Sequence, residues 1–170
     1  YNVTPLHKMT RAQQKSFLQE YNNYTLQILN IHEAVPGHYV QLIHSNRSKS
    51  LVKSIFGNGP MVEGWAVYAE RMMLENGYGK GSEELKLMYN KWFLRTVTNT
   101  ILDYEIHNKN LTREKALELM MIGAFQEKTE AEGKWKRAQV SQTQLASYYG
   151  GFSEIMALRN SLKKKQGDQF

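Results

Sequence analysis

The chain has 170 residues, 41% of them hydrophobic, and a formal charge of +6; this length and apolar share suit one globular domain with a core and exclude extended disorder. It contains no cysteine, which excludes disulfides, thiolate ligands and a cysteine nucleophile, so any metal site must use histidine and carboxylates. No apolar run reaches the roughly 18–20 residues needed to cross a bilayer, and the opening YNVTPLHKM lacks a basic segment followed by an apolar one. The chain therefore reads as neither membrane-spanning nor led by a signal peptide. As it does not begin with Met, it is expected to be a piece of a longer protein whose N-terminal part is missing.

The periodicity is helical nearly throughout, with almost no period-2 alternation of β-branched residues, and predicts an all-α fold. A first helix is expected from about Arg11 to Ala34, with Phe17, Leu18, Tyr21, Ile28 and Ile31 as its apolar stripe, and a continuation from Gly37 to about Asn46. The turn FGNGP (56–60) leads into a helix opened by Pro60 and running to Glu75, where NGYGKG stops it. Ser82 before Glu83 and Glu84 reads as the cap of a long helix to about Asn108. Thr112 caps TREKALELMMIGAF, and shorter helices follow up to SYYGG and from Ser153 to Lys165. The domain is taken as 1–162, with KKKQGDQF (163–170) as a basic flexible tail. The basic clusters KWKR (134–137) and LKKK (162–165) read as solvated helix faces, because no stacking aromatics are interleaved with them; no nucleic-acid partner is expected.

The stretch NIHEAVPGHYVQL (30–42) breaks its own helical pattern. On an uninterrupted helix, His32 and His38, six residues apart, would lie roughly 120° away from each other and could not share a metal ion. Pro36 has no N–H to return to His32 and its ring presses on that carbonyl, while Gly37 tolerates backbone conformations other residues avoid. A kink or bulge that takes two residues out of the winding restores the phase of a four-residue spacing. HEAVPGH is thus a stretched two-histidine motif. A hydrolytic zinc ion takes three protein ligands and leaves a fourth position open. VEGWAVYAE supplies the third in Glu63, with Glu70 two turns on, placed to orient a histidine or a basic group from outside the ligand set. Glu33, adjacent to His32, becomes the general base. Two imidazoles and one carboxylate favour one zinc ion among common cations.

Plainer readings stand beside these. A lone His-Glu pair usually marks a solvated face; His44 competes as a ligand but has no second break to bring it round; His7 reads as a surface residue. Asp103 and His107, four apart, are most simply a local ion pair or core hydrogen bond. Met72, Met73, Met120 and Met121 read as core filling. The rival to an enzyme is a non-catalytic helical metal-binding module that serves as an interaction surface.

HEAVPGHYVQ, VEGWAVYAE and the late Arg137, Gln144, Tyr148 and Gly151 resemble the bacterial family known as domain of unknown function 885, whose members look like zinc metallopeptidases of the gluzincin type. The resemblance runs from about Tyr21 to about Glu154 and corresponds to the C-terminal part of a typical, longer member. It implies His32, His38 and Glu63 as zinc ligands, Glu33 as base, and a metallopeptidase-like catalytic domain with a kinked metal-binding helix acting on peptides. It adds Arg137, Gln144 and Tyr148 near the metal, with Tyr148 or Arg137 stabilising an oxyanion or holding a substrate carboxylate, and it draws Asp103 and His107 towards the pocket. It slightly favours a periplasmic or cell-envelope location over the cytoplasm. The chain departs from the pattern at Leu111, where many relatives have Trp, and at Tyr39, where many have a second His.

Overall fold

Six of the nine α-helix starts among the described residues are set by side chains that stand in for missing backbone partners. In the computed structural model, which describes residues 5–170 and only the backbone of Asp168, Thr10 and Gln13 cap each other reciprocally and open α1 (Arg11–Glu20). The single helix expected over 11–34 is in fact two. Asn22 Oδ1 accepts from Tyr24 N and Thr25 N at 3.0 and 3.1 Å and starts α2 (Asn23–Glu33). A short polar side chain that captures nearby amides competes with continued helix. Leu18, expected on the apolar stripe, is 54% exposed, whereas Ile28 and Ile31 are buried.

After α3 (His38–Asn46) and the short α4 (Leu51–Ile55), Asn58 Oδ1 caps α5 (Gly59–Glu75) with Pro60 in its first turn. Ser82 caps α6 (Glu83–Lys109), and Asn110 closes it in the left-handed conformation. Thr112 opens α7 (Arg113–Glu118), which widens into a π turn over Leu119–Gly123 and so does not continue as α-helix to Phe125. α8 (Lys128–Val140) and α9 (Ala146–Gln166) follow. Every element among the described residues is helical, and the fold is all-α.

α9 runs unbroken through SYYGG, where a helix end was expected, and on through the three lysines to Gln166. Packing explains the second glycine. A Cβ on Gly151 would lie 1.8 Å from the Pro60 carbonyl oxygen, and one on Gly64 would lie 2.2 Å from the Gly151 carbonyl carbon. The two residues let the backbones of α5 and α9 touch, and this seam fixes the rotation of α5, which carries Glu63 and Glu70. A second core of Leu102, Ala116, Met120, Ala131, Ala138 and Leu145 ties α6 and α7 to α8 and the start of α9. No helix among the described residues is long and apolar enough to cross a membrane.

Candidate metal centre

The centre is built around the end of α2. Four residues, 34–37, separate α2 from α3, so the expected kink is a full interruption. Gly37 N donates to Ile31 O at 3.0 Å, and a Cβ at position 37 would fall 1.8 Å from the His32 carbonyl oxygen. Only glycine fits there. Trp65 Nε1 of α5 donates to Pro36 O at 2.9 Å, and Gln41 Nε2 of α3 to Met61 O at 2.9 Å. These bonds pin both sides of the break to α5. As a result the His32 and His38 rings meet edge to face, with centroids 4.8 Å apart.

Glu63 closes the triangle. Its Oε2 lies 3.7 Å from His32 Nε2 and 3.5 Å from His38 Nε2, and one donor atom from each of the three residues falls within 4.8 Å of the others. Tetrahedral zinc with bonds of about 2.0–2.2 Å places its ligand atoms about 3.3–3.6 Å apart, so Glu63 already stands close to that spacing from both imidazoles. Glu63 Oε2 is buried and has no hydrogen-bond partner among the described residues, which buried carboxylate oxygens seldom tolerate. The other oxygen is occupied: Gln144 Nε2 donates to Glu63 Oε1 at 3.2 Å. These residues fit a divalent cation in chemistry and spacing.

His32 Nδ1 donates to Glu70 Oε1 at 2.6 Å, which turns Nε2 towards the centre. Trp92 Nε1 of α6 supports the same oxygen at 3.2 Å. Burial disfavours a charged His32, but Glu63 and Glu70 outweigh it and raise its pKa to about 10. Burial also disfavours a charged Glu63, yet His32 and His38 hold it down at about 2. Complete burial pushes Glu70 up against the pull of His32 and Trp92. The pocket is thus one that attracts positive charge.

Of the other residues singled out in the sequence, Glu33 ends α2, half-buried, on the wall of a cavity of about 880 Å³ that His32, Arg137 and Tyr148 also line. Tyr148 stacks near His32, with centroids 6.3 Å apart, and its hydroxyl accepts from Gln144 Nε2 at 3.3 Å. Arg137 is exposed and reaches the centre only through Gln144, donating to its Oε1 at 2.7 Å. Asp103 and His107 stand apart from the three ligand candidates. Asp103 accepts from Thr143 N at 3.0 Å and Ala146 N at 2.9 Å, and His107 Nε2 bonds Ala138 O at 3.0 Å. Asp103 thereby holds the turn that delivers Gln144 and Tyr148. His44 and His7 are exposed.

Sequence reasoning missed Trp65, Trp92 and the charged wall of the cavity formed by Arg95, Glu130 and Lys134. Trp65 could have been found as the indole between Glu63 and Glu70; nothing local marks Trp92, which meets Glu70 from another helix.

The family model for bacterial proteins of unknown function (DUF885) matches residues 2–170. No curated protein matches the chain. Among solved structures, two described as a "putative lipoprotein" are similar. One, from Shewanella oneidensis and of unknown function, is 61% identical with a TM-score of 0.89 over 100% of this chain and 31% of its own. The other, from Colwellia psychrerythraea, is 26% identical with a TM-score of 0.84 over 89% of this chain and 26% of its own. The chain thus spans less than a third of either relative. The chain belongs to the DUF885 family.

Proposed function

We propose that this member of the DUF885 family carries the metal centre of a zinc-dependent peptide hydrolase. The observation that carries the reading is Glu63 Oε2, buried and without a hydrogen bond among the described residues, between two imidazole nitrogens at 3.5 and 3.7 Å. His32, His38 and Glu63 would hold the ion, and zinc bound there supplies Lewis acidity towards the attacking water and the scissile carbonyl.

The remaining steps belong to the chain itself. Glu33, on the cavity wall, takes the proton of the attacking water and returns it to the leaving amine. The Tyr148 hydroxyl, held by Gln144, donates to the oxyanion that develops on the carbonyl. Arg137 fixes Gln144, and Glu70 fixes the ring of His32. The substrate is a peptide lying in the cavity. Because the chain is under a third of its relatives' length, further walls come from the missing part of the protein, and the isolated chain is expected to be poorly active. The description of both relatives as lipoproteins supports a cell-envelope location.

A second reading is a non-catalytic helical module that binds a metal and presents an interaction surface. It is favoured by the exposure of Arg137, which touches the centre only through Gln144. Glu33→Gln in the full-length protein separates the two. The hydrolase reading expects a loss of about 10²–10⁴-fold in kcat with zinc content retained; undiminished hydrolysis excludes Glu33 as the base. A zinc-loaded wild type that hydrolyses none of a broad peptide set supports the module.

A further inference from the structure

Lys134 is a buried lysine, and the acids that act on it, Glu130 and Glu20, pair with other cations. It sits on α8 at 5% exposure, and its Nζ donates to Asn99 Oδ1 at 2.8 Å. Among the described residues it makes no ion pair, because the nearby acids are engaged elsewhere. Glu20 holds Lys91 at 2.9 Å and Arg95 at 3.3 Å, and Glu130 holds Arg95. An ammonium group has three donors and is costly to bury unpaired. Burial, reinforced by Arg95, accordingly drives the Lys134 pKa well below the usual lysine range.

This lysine lines the same cavity as His32, Glu33 and Tyr148. Arg137, three residues on and so on the same face of α8, lines it too. The cavity, about 880 Å³, is in the range that takes a small ligand or short peptide. The backbone of an internal stretch of peptide would bring no charge to Lys134. A chain end would bring one carboxylate, which supplies the missing partner and restores the lysine's proton.

We infer that Lys134, with Arg137 at the rim, receives the free C-terminal carboxylate of the peptide whose bond is broken at the metal centre. The enzyme then selects chain ends and short peptides over internal bonds. This rests on the hydrolase reading for its chemistry but not for its binding step.

The test uses full-length protein and peptides matched in sequence, with a free or an amidated C-terminus. The free acid is expected to exceed the amide in kcat/KM by about tenfold to a hundredfold, the worth of a hydrogen bond to a charged group. The ratio should fall towards one in Lys134→Met, or in Lys134→Gln, which keeps a donor for Asn99, should the first variant not fold. Calorimetric binding of an N-acetyl dipeptide acid and its amide to Glu33→Gln protein, with and without the Lys134 change, gives a readout free of turnover. Equal kcat/KM for acid and amide, or an acid preference unmoved by the Lys134 variants, overturns the inference. If neither peptide is cleaved, acid-selective binding that is lost with Lys134 sustains the carboxylate site while the hydrolase reading fails, and the absence of selective binding overturns the site.

Discussion

His32 donates from Nδ1 to Glu70 Oε1 at 2.6 Å, and Glu70 is wholly buried. The ring therefore cannot swing away, and its Nε2 is committed to the side where Glu63 and His38 converge. Removing such an orienting carboxylate typically lowers metal affinity about 10–100-fold. Glu70→Ala should fall near the upper end, since it strands both His32 Nδ1 and Trp92 Nε1, and Glu70→Gln, which keeps an acceptor, near the lower. Zinc affinity by chelator competition checks this; equal affinities in all three proteins would remove Glu70 from the centre.

The contact between Gly151 and Pro60 makes a second expectation. A methyl group at 151 meets backbone 1.8 Å away, and backbone yields less readily than a side-chain end. Gly151→Ala should destabilise the protein by about 3 kcal/mol or more, the upper range for overpacking. Gly133→Ala, where a Cβ meets nothing within 4 Å, should be neutral or slightly stabilising. Urea unfolding of the two variants makes the comparison.

Glu130 supplies the pH dependence. Burial opposes its ionisation, but Arg95 and Lys134 outweigh it and hold its pKa below the ordinary 4.5. A folded value below the unfolded one gives stability that is present above the unfolded pKa and lost as pH falls through the folded value. The stability gap between wild type and Glu130→Gln should therefore be largest near neutrality, about 1–3 kcal/mol for a hydrogen bond to a charged group in a part-buried pair, and shrink steadily below about pH 4.5. Unfolding midpoints from pH 7 to pH 3 measure it, and a gap independent of pH would contradict the assignment.

Asp103 holds two amides of the turn that positions Gln144 and Tyr148. Asp103→Ala should cost about 1–3 kcal/mol in stability. On the hydrolase account it should also lower kcat more than it changes KM, because the displaced Tyr148 acts on the transition state. Steady-state kinetics beside thermal unfolding separates the two effects.

How much of this the sequence disclosed depended on the range of the interactions. The helical class, the caps at Ser82 and Thr112 and the turn before Pro60 are local matters of propensity and side-chain reach, and all could be read directly. The break at Pro36-Gly37 was legible because proline and glycine act on the backbone of their own segment. The split at Asn22 was missed because the same asparagine suits either a helix surface or a cap, and the stripe around it looked continuous. The YYGG sequence misled because propensity alone makes Gly-Gly a stop, whereas here Gly64 and Gly151 are needed by a contact between helices distant in sequence. Lys134 read as part of a solvated basic face in KWKR; its burial is set by how α8 rests on α6, which no local pattern reveals.

The central claim is that the interrupted helix brings His32, His38 and Glu63 into one divalent-cation site. Elemental analysis of purified protein, wild type beside His38→Ala, tests it most directly. The account predicts close to one zinc per wild-type chain and a large loss in His38→Ala at unchanged helical content by circular dichroism. Wild-type protein that holds no zinc after exposure to it, or equal zinc in the two proteins, would contradict it.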